Sequence, residues 1–195
     1  MTDIRPMYDR MIAGDPYLAD DPRITAEADR AHRLTHRINT GDPTERERMR
    51  SLFVELLGHF GQGSVIRPPF HCDYGTHTSV GAGTFANFGL VVLDVATVTI
   101  GDHVQIGPHV QLLTATHPLD ADARRAGWES AEPIVIEDNV WLGGGVVVCP
   151  GVTIGRDTVV GAGSVVVHDL PAGVLAVGSP ARVVRELGAT RSAAD

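Results

Sequence analysis

The chain has 195 residues, 43% of them apolar, with 22 glycines and 12 prolines but few aromatics: five Phe, three Tyr and two Trp. That apolar fraction excludes a disordered chain, and the lack of a glycine at every third position excludes a collagen-like one. All 16 basic residues are arginine against 24 acidic ones, a net charge of −8 with no basic run, which argues against nucleic acid and anionic membrane as main partners.

Met1-Thr-Asp-Ile-Arg-Pro lacks a basic stretch followed by an apolar one, so no signal peptide is expected. No uninterrupted apolar run reaches membrane-spanning length. Cys72 and Cys149 form no ligand-spaced motif and read as reduced thiols, so the expectation is a soluble cytoplasmic protein. Residues 1–64 read as an N-terminal helical segment. Asp21-Pro22 supplies an N-cap and a proline at the first helical position, for a polar helix running to about Asn39 and ended by Gly41. Asp42-Pro43 repeats the start signal with Glu45 at the third position. Met49, Leu52, Phe53, Leu56 and Leu57 then form an amphipathic stripe closed by Gly58. These helices are too few to make a core of their own and are expected to lie on the rest of the protein or on a neighbouring subunit.

From about Val65 to the C-terminus, the second unit at 65–195, the period changes to six. Ile136, Leu142, Val148, Ile154, Val160 and Val166 are evenly spaced and all aliphatic, and Ile100, Ile106 and Leu112 keep the same register. Glycine follows many of them, as at Gly101, Gly107, Gly143, Gly155 and Gly161, and Val80-Gly81-Ala82-Gly83 fits after a register shift. Six matches neither the helical period nor meandering strands. It fits short strands wound around a triangular prism, three hexads per coil, stacked at about 4.8 Å. The interior of such a prism is too narrow for rings, which accounts for the scarce aromatics. The register fails at Pro118, Arg124 and Ser130, so residues 114–133 are expected to leave the prism as an excursion loop; long loops inside compact domains are usually functional or disordered.

The segments Ile100-Gly-Asp-His-Val-Gln-Ile-Gly-Pro, Thr114-Ala-Thr-His-Pro-Leu-Asp, Val140-Trp-Leu-Gly-Gly-Gly-Val and Val177-Gly-Ser-Pro-Ala-Arg-Val-Val-Arg resemble the hexapeptide-repeat acyltransferases. Met11-Ile-Ala-Gly-Asp-Pro-Tyr and Arg67-Pro-Pro-Phe-His-Cys-Asp-Tyr-Gly are similar to the sugar O-acetyltransferases within that superfamily, the maltose and galactoside acetyltransferases. The resemblance covers roughly residues 7–187. It implies a left-handed parallel β-helix, a homotrimer with active sites at subunit interfaces, acetyl-CoA as co-substrate and no metal.

His117, followed by Pro118, stands in the loop with an extended backbone. By spacing alone it is either a solvated loop histidine or a general base for an alcohol. The resemblance makes it the catalytic histidine. It likewise implies that Asn87 supports the reacting centre, where spacing alone allows a corner asparagine. Asp73 and Asp94 match or nearly match acceptor contacts, and Trp128 and Glu129 in the loop are expected at the same mouth with Asn87. On the donor side Gly143, Gly144 and Gly145 leave room for a pantetheine arm, Trp141 flanks it and Ala162 matches a backbone contact. Arg182 and Arg185 match cationic positions suited to phosphates. Val167-His168 stands where the family often has Thr-Lys, so His168 is expected in a weaker, pH-dependent contact. Leu18-Ala19 departs from the family's acidic acceptor contact, with Asp20 and Asp21 just beyond. The expected activity is therefore acetyl transfer to a hydroxyl of a sugar or polyol. A xenobiotic hydroxyl acceptor, a zinc hydratase of the carbonic anhydrase type and a non-catalytic scaffold are the alternatives. The spaced pairs His71/His77 and His103/His109 invite the zinc reading, but residues six apart fall on different faces of the prism.

Overall fold

The structure is a computed structural model describing residues 4–188; the ends of the chain, including the tail after residue 188, lie outside the described residues. Three helices lead in: α1 at Met7–Ile12, α2 at Pro22–Thr40 and α3 at Arg46–Leu56. The Asp21 carboxylate accepts from the Arg23 N–H at 2.9 Å and caps α2, which stops at Gly41 as expected. α3 begins later than the Asp42-Pro43 signal suggests. Asp42 spends its carboxylate on the Thr44 N–H and hydroxyl, at 2.8 and 2.7 Å, and so closes a turn instead of capping a helix.

The rest is a parallel β-solenoid with three faces. The first carries five strands from His59–Phe60 to Thr153–Ile154, the second seven from Val65–Ile66 to Ala181–Glu186, and the third five from Phe70–Cys72 to Val165–Val166. The solenoid thus starts at His59, inside the stretch that reads as helical in sequence. All nine hexad aliphatics point inward, each at most 2% exposed. Val104, Val110, Val140, Val146 and Val152 are buried with them, as are Thr158 and Ser164. Those two hydroxyls donate to the backbone carbonyls of Pro171 and Gly161, so neither is orphaned in the narrow interior. The amphipathic stripes of α2 and α3 share this core: Leu34, Ile38, Leu52, Phe53 and Leu56 join Phe60 and Phe70 beneath the first coil. The helices therefore cap the open end of the prism.

Coils are not all of one length. Phe60, Val80 and Ile100 stack on one another, a step of 20 residues, whereas Ile136 stacks on Ile154, a step of 18. The two extra residues lie at the edge between the third and first faces, after Cys72 and after Val92. That length difference is the register shift seen at Val80. The excursion leaves from the same edge, since Leu113 ends a third-face strand and Ile134 begins the next first-face strand. It is more ordered than its composition suggests. Ala115–Thr116 pairs with Trp128–Ala131, a short helix runs from Ala121 to Arg125, and Tyr17–Leu18 near the N-terminus adds a third strand.

Candidate active site

Two edges of the prism hold the candidate residues. Along the edge between the second and third faces, Ile66, Ala86, Ile106, Leu142 and Val160 are stacked partners, so the residues that follow them form a column: Arg67, Asn87, Gly107, Gly143 and Gly161. Each is hydrogen-bonded to the coil above, for example Asn87 N–H to the Ile106 carbonyl at 2.9 Å and Gly107 N–H to the Leu142 carbonyl at 2.8 Å. The Asn87 side-chain oxygen accepts from the Phe88 N–H at 2.9 Å. This fixes the amide so that its NH₂ is the free end, and among the described residues that NH₂ has no partner. Above it the edge is almost bare of side chains. Gly144 and Ala162 continue beside the column, and a Cβ at Gly145 or Gly163 would meet nothing within 4 Å. Trp141 is 55% exposed on the second face next to this groove. Arg182 and Arg185 lie on the last, antiparallel strand, paired with Val177 and Leu175.

The other edge, between the third and first faces, carries Asp73, Asp94 and the base of the excursion. Burial pushes the Asp73 carboxyl up to about 6, with the Asp94 and Glu129 carboxylates adding to it and His32 opposing. Glu129 is held by the hydroxyl of Tyr17, which donates to it at 2.7 Å from a fully buried ring. The same burial, with Glu129 as hydrogen-bond partner, pushes the Tyr17 hydroxyl well above its ordinary range. Trp128 lies beside Glu129 with the Arg10 guanidinium 5.2 Å above its ring. His117 follows the strand Ala115–Thr116 and is exposed, as is Leu119 at 98%.

The structure assigns one expected acceptor residue a different task. Asp94 is fully buried, and its two carboxylate oxygens accept from the Tyr74 N–H and the Thr78 hydroxyl, both at 2.9 Å. It pins the longer corner that presents Asp73, and its carboxylate does not face solvent. His168 also departs from the expected grouping. It follows Val165–Val166 and so sits on the third-to-first edge, away from Gly144 and Ala162. Within one chain the structure brings together Asp73, Trp128 and Glu129, and separately Asn87, Gly143, Gly144 and Ala162. It leaves His117 and His168 across the third face from the second group. Two residues beside these groups are missing from the expected site residues: Tyr17, which holds Glu129, and Arg67, which stands in the column of Asn87. The first signals itself only through its strand pairing with Glu129 across the fold.

The histidine pairs do not converge. His103 and His109 occupy successive corners in left-handed backbone conformations, and the ring of His77 bonds the Asp94 carbonyl at 2.8 Å. Among the described residues no group of three His, Cys, Asp or Glu side chains could hold a metal ion. Burial pushes the Cys72 thiol up, with Asp94 and Asp73 reinforcing it, so this sulfur is a packing group and no nucleophile. No described helix is long and apolar enough to cross a membrane.

Comparison with known proteins agrees with this geometry. A family model described as the maltose acetyltransferase hexapeptide capping motif matches residues 10–61, the helical segment and the first solenoid strand. A second, bacterial transferase hexapeptide (six repeats), matches residues 133–168. Nodulation protein L of Rhizobium meliloti is 49% identical over 92% of this chain and 98% of its own. The galactoside O-acetyltransferase of Escherichia coli is 39% identical over 93% of this chain and 90% of its own. A hexapeptide-repeat acetyltransferase from Vibrio cholerae, solved with acetyl coenzyme A, superposes with a TM-score of 0.87 at 44% identity over 95% of this chain and all of its own. The fold and these likenesses define an acyltransferase. The chain belongs to the hexapeptide-repeat sugar O-acetyltransferase family.

Proposed function

We propose that the protein transfers the acetyl group of acetyl-CoA to a hydroxyl of a sugar or related polyol, as a homotrimer whose active sites lie between copies. The observation that carries this reading is the division of the site between two edges of one prism. The third face stands between Asn87 and the base of the His117 loop, and its strand Leu90–Leu93 alone spans about 13 Å. A second copy set edge to edge closes that gap. The exposed Leu119 beside His117 gives the loop an apolar contact to bury against its neighbour.

In the assembled site His117 takes the proton from the acceptor hydroxyl as its oxygen attacks the thioester carbonyl. The Asn87 NH₂, left free because its oxygen is held by the Phe88 N–H, donates to the tetrahedral oxyanion together with backbone N–H groups. The C–S bond then breaks, and His117 returns the proton to the departing thiolate. Transfer is direct, with no covalent enzyme intermediate. Gly143, Gly144 and Ala162 give the pantetheine arm its path beside Trp141. Arg182, Arg185 and, from across the interface, His168 meet the phosphates. Asp73 and Glu129 accept hydroxyl hydrogen bonds from the acceptor, with Trp128 beside them, and Asp94 acts by holding Asp73 in place.

The test is thiol release from acetyl-CoA with a panel of free sugars and glycosides. Wild-type protein is expected to show acceptor-dependent release. His117→Ala should lose about 10²- to 10⁴-fold in kcat while still binding acetyl-CoA in calorimetry. Undiminished acceptor-dependent release by that variant removes His117 from its role.

A further inference from the structure

Four of the five phenylalanines gather at one place that the acetyl-transfer chemistry does not use. Phe53 and Phe60 form the buried side, and Phe85 and Phe88 the outer side, of a cleft of about 680 Å³ between α3 and the first coils. Its size is that of a small-molecule site. It adjoins the proposed acceptor position, because Phe85 and Phe88 flank Asn87 and Arg67 lies one coil below it in the same column.

The charge lining this apolar cleft is one-sided. Arg46, Arg50 and Arg67 face it against a single carboxylate, Glu47. Among the described residues none of the three arginines forms an ion pair. Arg50 donates to the Phe60 and Gly61 carbonyls, at 3.3 and 3.0 Å. The Arg67 guanidinium is stacked 5.5 Å from the Phe85 ring centre and 5.0 Å from that of Phe88. Stacking occupies the faces of a guanidinium and leaves its N–H edge free for a carboxylate.

We infer that this cleft is an acceptor subsite for an apolar group ending in an anion, and that Arg67 is the side chain that reads the charge. The inference rests on the acetyl-acceptor reading of the Asn87 edge. The substrate class it names is a glycoside whose aglycone is aromatic or similarly apolar and carries a carboxylate or equivalent anion.

The probes are the 4-carboxyphenyl and 4-carbamoylphenyl glycosides of one sugar, alike in shape and different in charge. With wild-type enzyme the carboxylate should have a kcat/KM at least about tenfold higher, through KM, as a charge-assisted hydrogen bond gives. Arg67→Gln should bring the ratio to about one, and Arg67→Lys should keep part of it. Because the ratio is taken within each protein, a general loss of activity cancels. A ratio near one in the wild type overturns the subsite, as it must if a second copy of the chain covers the cleft. So does a ratio that Arg67→Gln leaves intact. If neither glycoside is acetylated, the sugar-acceptor reading fails. The cleft is then decided by calorimetric affinities of the same two compounds, with the same expected ratio and the same loss in Arg67→Gln.

Discussion

Asp73 is a carboxyl group in an unfavourable place for its charge: half-buried, with Asp94 pinned behind it and Glu129 across the mouth. These push its pKa to about 6, above the ordinary 3.8. A raised carboxyl contributes stability that is fully present below the unfolded value and is lost as pH rises through the folded one. Ionising Asp73 therefore costs stability between about pH 4 and about pH 6, and it gives the site a strong hydroxyl acceptor in return. Acceptor KM should fall as pH rises through about 6, because the carboxylate accepts through both charged oxygens, whereas the protonated group spends one of them on an O–H. Asp73→Asn should raise that KM and remove this inflection. Steady-state kinetics from about pH 5 to about pH 7.5 decide the matter, and an unaltered inflection in the variant would assign it to another group.

Stacked coils place a harder demand on their corners than on their faces. A Cβ at Gly107 would stand 2.5 Å from the Gly144 nitrogen, which is backbone of the next coil and cannot turn aside. Gly107→Ala should cost about 1–3 kcal/mol, as overpacking does, read as a lower denaturant midpoint with the slope unchanged. The faces were open to reading because an inward side chain every sixth residue has to be aliphatic, and Ile136 through Val166 repeat without a break. The longer coils were hidden because the extra residues after Cys72 and after Val92 interrupt the period without altering composition. The same cause conceals the role of Asp94: an aspartate in a corner looks solvated until the Tyr74 N–H and Thr78 hydroxyl are seen to enclose it. Tyr17–Leu18 was illegible for another reason, since a two-residue strand has no period and its partner, Trp128–Glu129, lies far along the chain, Glu129 being 112 residues from Tyr17.

At the scale of the whole molecule, the proposed reading makes one chain the carrier of two half-sites. Asn87 and the bare glycine edge form one half, and His117, with the Asp73 and Glu129 cluster, forms the other. The prism keeps them apart because one continuous buried core fills its interior. A site that needs both halves is then a property of the assembly, with each copy giving one edge and receiving the other. The most direct measurement is subunit mixing. His117→Ala and Asn87→Ala proteins, each nearly inactive alone, are dissociated together in equal amounts and reassembled. If each site draws His117 and Asn87 from different copies, mixed assemblies should recover about a quarter of wild-type acetyl transfer, the fraction of interfaces that receive both native residues. If the mixture, shown to have exchanged subunits, stays as inactive as its components, both residues act within one chain and the interface site is contradicted.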